Sequence, residues 1–214
     1  MPSNAPRPDG TAVAVFARAP VAGSVKTRLA GLLGPDAAAS LHAGLVRHAL
    51  CAAAHARLGP VELWCTPDER HPFFERCAVD FGAVLRRQDG ADLGERMRHA
   101  FASKRASPRL VLIGSDCPAL DAAHLTLAAE ALLSHDVVIT PAEDGGYVLV
   151  GLARAVPGLF ENVPWGGAAV MARTRERLAA ARVTWTELPM LWDVDRPEDY
   201  ARLQSEGLLA EVLS

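Results

Sequence analysis

The sequence predicts a single α/β domain with a mostly parallel central sheet and helices on both faces of that sheet. Short apolar runs alternate with segments of helical periodicity, and loops containing Gly or Pro separate many of them. This alternation is typical of βαβ units. Half of the residues are hydrophobic, which is enough for one buried core. The chain has 214 residues, which corresponds to about one domain at roughly 150 residues each.

Seven segments are predicted as strands. The first, Thr11–Ala17, is a short apolar, β-branched run that leads into a loop with Pro and Gly. The clearest buried strand is Leu110–Gly114. The other five predicted strands are Val61–Cys65, Val84–Arg86, Val137–Thr140, Tyr147–Val150 and Val183–Leu188.

One connection between predicted strands is unusually short. Only Pro141–Gly146 joins the fifth predicted strand to the sixth. A parallel crossover needs a dozen or more residues. One of these two strands is therefore expected to be antiparallel, or the two are not adjacent.

Six segments are predicted as helices. Asp36–Leu58 carries Ala and Leu at helical spacing, with an aspartate near its start and Gly59 after its end. Glu69–Phe81 is expected to be interrupted at Pro72. The remaining predicted helices are Asp92–Lys104, Asp121–Leu133, Ala168–Ala180 and Pro197–Glu206.

Charge and composition exclude several classes of protein. The 22 basic and 25 acidic residues give a net charge of −3, so no overall electrostatic signal for nucleic acid or anionic lipid is present. No apolar run approaches the ~18 residues of a membrane span. The four cysteines form no CxxC pair, which argues against a zinc site or a disulfide framework.

The first ten residues are polar and rich in proline, unlike a secretory signal. We expect residues 1–10 to form a disordered tail, residues 11–214 to form the domain, and the protein to be cytoplasmic.

Ligands of such sheets bind outside the carboxyl ends of the strands. The loop Arg18–Arg28, which follows the first predicted strand, contains Gly23 and two cations, Lys26 and Arg28. Glycine allows close backbone approach, so the loop could hold a di- or triphosphate. Lysine is rare in this chain, with only Lys26 and Lys104, which favours a functional role for Lys26. The alternative is a solvated loop with ordinary surface charges.

Aspartates follow two other predicted strands. Asp116 follows the fourth strand and is suited to Mg²⁺, which needs only one or two carboxylates beside substrate phosphates. The alternative role for Asp116 is a cap for the next helix. Asp193 and Asp195 would point the same way in an extended segment and could complete a metal site. The alternative is that one of them caps the helix that begins at Pro197.

Two further segments have both a functional and a structural interpretation. Pro141–Tyr147 contains Asp-Gly-Gly, primarily a turn signal, but its carboxylates and glycine amides could line an acceptor pocket. Gln88–Met97 places acidic residues at a helix start, which a capping pattern explains as well as ligand contact does.

Taken in order, these residues resemble a known family. The segments that carry the resemblance are Phe16–Pro20, Gly23, Lys26–Leu29, Asp92–Met97, Gly114–Pro118, Asp144–Tyr147 and Asp193–Asp195. The chain is similar to the bacterial GT-A-type transferases called selenodomain-associated transferase 1, distant relatives of molybdenum-cofactor and phospholactate guanylyltransferases. The match runs from about Thr11 to Gly207.

The resemblance implies a Rossmann-like GT-A fold that binds a nucleoside triphosphate or a nucleotide sugar. It implies Mg²⁺ or Mn²⁺ on Asp116, Asp195 and Asp193, and catalytic roles for Lys26, Arg28 and Asp116. The nucleotide-binding residues would be Ala17, Arg18, Gly23, Lys26, Arg28, Gln88 and Ser115. The acceptor-binding residues would be Glu143, Asp144, Gly145, Gly146 and Trp165.

One position departs from the family. Its members often have Ser or Thr after the tryptophan of the segment Val163–Ala169, whereas this chain has Gly166. The side-chain contact to the acceptor that the resemblance implies is therefore not expected at that position.

Two kinds of transfer remain open, together with a rival of another class. In nucleotidyl transfer, an acceptor phosphate or carboxylate attacks the α-phosphorus and pyrophosphate leaves. In glycosyl transfer, an acceptor hydroxyl needs a base, for which Glu143 or Asp144 is a candidate. The rival is a non-catalytic nucleotide-binding protein, regulatory or degenerate. In each case the partners are a nucleotide and a small molecule rather than nucleic acid.

Overall fold

A seven-stranded sheet forms the centre of the computed structural model, which describes residues 10–103 and 107–213. The spatial order of its strands is β3-β2-β1-β4-β6-β5-β7. In chain order the strands are β1 (Thr11–Arg18), β2 (Val61–Thr66), β3 (Val84–Arg87), β4 (Arg109–Ile113), β5 (Val137–Pro141), β6 (Tyr147–Leu152) and β7 (Trp185–Glu187). All seven predicted strands are therefore present, with small differences at their ends.

The sheet is parallel except at one strand. β6 runs antiparallel to both of its neighbours, β4 and β5, and every other pairing is parallel. This confirms the fold class and the antiparallel strand that the short Pro141–Gly146 connection predicts. The register of β5 against β6 shifts between Thr140 and Pro141, where the chain enters that connection.

Eight helices are described around the sheet. They are α1 (Ala30–Leu33), α2 (Pro35–Ala56), α3 (Pro72–Phe81), α4 (Leu93–Ala102), α5 (Ala122–Ala131), α6 (Val170–Ala181), α7 (Pro197–Ser205) and α8 (Leu209–Leu213). Six of them match the predicted helices, and the two short helices α1 and α8 have no predicted counterpart.

The observed helix ends follow from capping. α3 begins at Pro72 instead of Glu69 because proline suits the first turn and the His71 ring accepts from the Phe73 amide. Asp92 caps α4 and Asp121 caps α5, each accepting a backbone amide three residues on. The predicted end of α4 at Lys104 and the predicted tail lie outside the described residues, apart from Gly10.

The two faces of the sheet carry separate apolar cores. On β1, Val13, Val15 and Ala17 enter the core beneath α2, α3 and α5. The alternate side chains enter the core beneath α4 and α6. Because successive strand residues point to opposite faces, a strand covered on both sides is apolar throughout.

A third apolar cluster joins the segment after β1, at the carboxyl end of that strand, to the last helices. Leu29, which follows the first loop, is fully buried there with Leu45 of α2, Leu203 of α7 and Val194. This packing brings the segment before α7 against the loop after β1. Within the described residues, no helix is long and apolar enough to cross a membrane.

The contact between α2 and α8 generates a stability prediction. A Cβ atom at Gly44 would lie far inside van der Waals distance of the Val212 carbonyl, whereas a Cβ at Gly31 would meet no atom within 4 Å. We expect Gly44→Ala to lower the free energy of unfolding by about 1–3 kcal/mol, since overpacking forces the backbone to shift. Gly31→Ala is the matched control and should be neutral or slightly stabilising. Denaturant unfolding checks both variants, and equal midpoints would contradict the prediction.

Candidate functional site

A cavity of about 280 Å³ opens at the carboxyl ends of the parallel strands. Three carboxylates, Asp116, Asp144 and Asp193, border it, and no Lys or Arg does so in the described part of the chain. Its wall also includes Tyr147 and Trp165. A larger, mainly apolar cavity of about 530 Å³ lies between α4 and residues 152–161 and contains none of the predicted site residues.

The ammonium group of Lys26 joins three segments beside this cavity. Its side chain is only 4% exposed, and Nζ lies 2.9 Å from Asp116 Oδ1. Nζ also donates to the Val194 carbonyl at 2.6 Å, and the Val194 amide donates to the Asp116 carbonyl at 2.9 Å. The loop after β1, the turn after β4 and the segment before α7 therefore meet at one buried charge.

The loop after β1 is shaped to deliver this lysine inward. Lys26 has a φ of 46°, in the left-handed region that a residue with a side chain adopts at some cost. Its neighbours Val25 and Leu29 are buried, so apolar burial holds the loop on both sides of Lys26. The resemblance implies that Lys26 neutralises phosphate, and this role stays a prediction because the ammonium already has protein partners.

The carboxylates of the site differ in electrostatic environment. Burial would raise the pKa of Asp116, but the Lys26 ammonium and the His42 ring hold it well below its usual range. For Asp193, burial together with the charges of Asp144 and Asp116 raises the pKa to about 6. Three carboxylates thus share the cavity, and Lys26 pairs with one of them, Asp116.

His42 belongs to this cluster, although no sequence motif contains it. It lies on the buried face of α2, with Nε2 2.9 Å from the Arg18 carbonyl and Nδ1 3.6 Å from Asp116 Oδ1. A histidine within the apolar face of an Ala- and Leu-rich helix is the only signal that could have found it.

The predicted metal ligands do not all converge. Asp193 borders the cavity with Asp116, whereas Asp195 forms an ion pair with Arg28 at the surface. Neither aspartate caps α7, because Asp199 accepts from the amides of Asp195 and Arg196. No group of three His, Cys, Asp or Glu side chains arranged to hold a metal ion is found in residues 10–103 and 107–213.

The predicted acceptor residues also separate into two groups. Trp165 and Gly146 line the cavity with Asp144, whose carboxylate accepts from the Gly146 amide at 2.8 Å. Glu143 points elsewhere, with both oxygens held at 3.0 Å by Arg202 of α7. Its structural role follows from that pairing, since Arg202 in turn stacks on the Trp192 ring at 4.3 Å.

Gly145 has a backbone role. Its φ is 91°, and a Cβ there would overlap with Ala168. Glycine is therefore required to turn the chain and to let residues 166–169 approach the cavity.

The predicted nucleotide-binding side chains mostly support the strand tips. Gln88 donates from Nε2 to the Trp64 carbonyl at 2.8 Å and to the Ala17 carbonyl at 3.3 Å. Arg18 is exposed and donates to the Ser24 carbonyl. This hydrogen bond lies within the loop after β1, which also contains Gly23. Ser115 Oγ lies 3.3 Å from Asp116 Oδ1. These residues surround the end of β1, and nucleotide contact by them stays a prediction.

Comparison with known proteins identifies the family. A family model described as "uncharacterized protein conserved in bacteria" (DUF2064) matches residues 49–167. The chain is also 34% identical over 204 residues to a 3-phospho-D-glycerate guanylyltransferase of Phenylobacterium zucineum. The aligned region covers 88% of this chain and 89% of the relative. The chain belongs to the DUF2064 family. The match covers the β4 turn with Asp116 and most of the cavity wall.

Solved structures place the DUF2064 chain among GT-A-like proteins. A crystal structure from Desulfovibrio desulfuricans, provisionally named as a nucleotide-diphospho-sugar transferase, superposes with a TM-score of 0.80 at 29% identity and covers 95% of this chain and 98% of that chain. A nucleotidyl transferase from Methanothermobacter thermautotrophicus shares the fold at a TM-score of 0.63 and 15% identity, covering 94% and 98%. These matches confirm the predicted resemblance to a GT-A-like nucleotidyltransferase family.

The buried position of Lys26 generates a second prediction. Lys26→Met removes the donor to Asp116 and Val194, so we expect unfolding free energy to fall by about 1.5–3 kcal/mol, as for a hydrogen bond to a charged group. The control is Arg28→Met, whose exposed ion pair with Asp195 should contribute about 0–1 kcal/mol. Chemical denaturation of both variants checks the difference. Equal losses in the two variants would contradict a stabilising role for the buried ammonium of Lys26.

Proposed function

We propose that this DUF2064 chain transfers a guanylyl group from GTP to a small phosphorylated acid such as 3-phospho-D-glycerate. The observation that carries the proposal is the 34% identity to a 3-phospho-D-glycerate guanylyltransferase along nearly the whole of both chains. The geometry is compatible with this chemistry, because one cavity at the carboxyl ends of the strands contains carboxylates, two aromatic side chains and backbone amides near glycines.

The proposed reaction forms one bond and breaks one bond. A phosphate oxygen of the acceptor attacks the α-phosphorus of GTP, the bond from that phosphorus to the bridging oxygen breaks, and pyrophosphate leaves with the electron pair. An anionic acceptor oxygen needs no base. The protein therefore contributes mainly position and electrostatic stabilisation. Asp116, Lys26 and the loop after β1 would define where the triphosphate lies.

The carboxylates of the cavity fit a divalent cation. Mg²⁺ takes oxygen ligands and, beside substrate phosphates, needs only one or two carboxylates. Asp116 and Asp193 border the same cavity, and the pKa of Asp193 is raised first by burial and then by the negative charges of Asp144 and Asp116, which a cation would neutralise. We propose that these two residues hold Mg²⁺ or Mn²⁺, which when bound would neutralise charge on the phosphates of the donor.

Glycosyl transfer is the second candidate, favoured by the name of the Desulfovibrio structure. That reaction needs a base for an acceptor hydroxyl. Glu143 is unsuited to this task because Arg202 holds both of its oxygens, which leaves Asp144 at the cavity. The two reactions release different products: pyrophosphate from nucleotidyl transfer, and a nucleoside diphosphate from glycosyl transfer.

The third prediction tests the proposal. With GTP, 3-phospho-D-glycerate and Mg²⁺, we expect the protein to release pyrophosphate, and excess chelator should abolish the release. Asp116→Asn should lower kcat/KM by about 100-fold or more, the size seen when an electrostatic contact in an active site is removed. The control Asp80→Asn alters a carboxylate of α3 that pairs with Arg47 at the surface, and it should leave turnover unchanged.

The alternatives give distinct results in the same assay. Release of a nucleoside diphosphate from a nucleotide sugar would replace the proposal with glycosyl transfer. Nucleotide binding without turnover, and without dependence on a metal, would indicate the non-catalytic binding protein.

A further inference from the structure

His42 is a buried polar side chain that the proposed chemistry does not use. Its side chain is 5% exposed and lies on α2, between the loop after β1 and the turn after β4. Two neighbours in space, the Arg18 carbonyl and the Asp116 carboxylate, belong to the two segments that form the site. Because buried polar groups are normally hydrogen-bonded, the partner of each ring nitrogen has to be identified.

The contact with Arg18 defines which nitrogen carries a proton. A carbonyl oxygen only accepts, so His42 Nε2 is protonated and donates to it at 2.9 Å. Nδ1 then faces Asp116 Oδ1 at 3.6 Å and has no hydrogen-bond partner among the described residues. The ring therefore bonds to the last residue of β1 and packs against the aspartate after β4 without a hydrogen bond to it.

Three side chains approach the same oxygen of Asp116. Lys26 Nζ lies 2.9 Å from Oδ1, Ser115 Oγ lies 3.3 Å from it, and His42 Nδ1 lies 3.6 Å from it. The Asp116 side chain is nevertheless 42% exposed, and it borders the cavity. Contacts concentrated on one oxygen restrict rotation of a carboxylate and leave its other oxygen for a ligand.

We propose that His42 is a positioning residue, which holds the Arg18 carbonyl by a hydrogen bond and packs against Asp116 Oδ1, so that Asp116 Oδ2 is presented to the ligand in the cavity. The kinetic consequence rests on the proposed function, whereas the structural consequence does not. Residues that orient a ligand-binding side chain typically change activity by about 10–100-fold when they are replaced.

The kinetic arm compares two variants of His42 with a buried control. His42→Leu should lower kcat for guanylyl transfer by about 10–100-fold. His42→Gln can still donate to the Arg18 carbonyl and should recover part of that loss. The control is His124→Leu, since His124 is also buried but bonds Thr140 and lies outside the Asp116 cluster. It should lose stability with kcat unchanged. An unchanged kcat in His42→Leu, with an active wild type, would overturn the inference.

The structural arm is independent of activity. Crystal structures of the wild type and His42→Leu should show the Asp116 carboxylate rotated in the variant only. If the leucine variant does not fold, His42→Gln takes its place and should show a displaced Asp116 with the Arg18 contact retained. An Asp116 carboxylate in the same position in variant and wild type overturns the inference. If the wild type has no transferase activity, the proposed function is wrong, but the inference about His42 is not affected. The crystal structures then test the role of His42.

Discussion

The buried ammonium of Lys26 is the interaction on which the arrangement of the site depends. It binds the carboxylate of Asp116 and the carbonyl of Val194, so three segments far apart in sequence meet at one charge. A lysine buried without partners would be expensive, and these two oxygens compensate the loss of water. Leu29 and Val194 are buried in one apolar cluster, and this packing stabilises the same contact between the loop after β1 and the segment before α7. Two of the carboxylates that face the cavity, Asp116 and Asp193, lie on segments that this junction joins.

Much of the fold could be predicted because its signals are local. The run Leu110–Gly114 is apolar throughout, as a strand covered on both faces must be, and the length of Pro141–Gly146 alone indicated the antiparallel strand. The helices α1 and α8 were missed because each is only one turn or so long, and packing against α2 stabilises them instead of a sequence pattern. The sequence predicts an interruption at Pro72, whereas in the structure this proline begins α3.

The site was predictable in its location and less so in its contacts. Lys26, Asp116 and Asp193 follow from residues at strand ends, and the structure brings them together. Asp195 and Glu143 were not separable from them by sequence, because their pairing with Arg28 and Arg202 depends on where distant segments fold. His42 was missed for the same reason, since its partners lie on two other segments and its helix shows only an apolar face.

The junction at Lys26 lies next to an acidic cavity, in a fold that the DUF2064 chain shares with nucleotidyltransferases. The central claim is that Lys26 and Asp116 act as one unit. A double-mutant cycle of Lys26→Met, Asp116→Ala and the double variant, measured by unfolding free energy, tests this claim most directly. The account predicts a coupling of about 1–3 kcal/mol, within the range of residues that share one ion-pair network. Losses that add to within about 0.5 kcal/mol would contradict it, because additivity indicates independent sites.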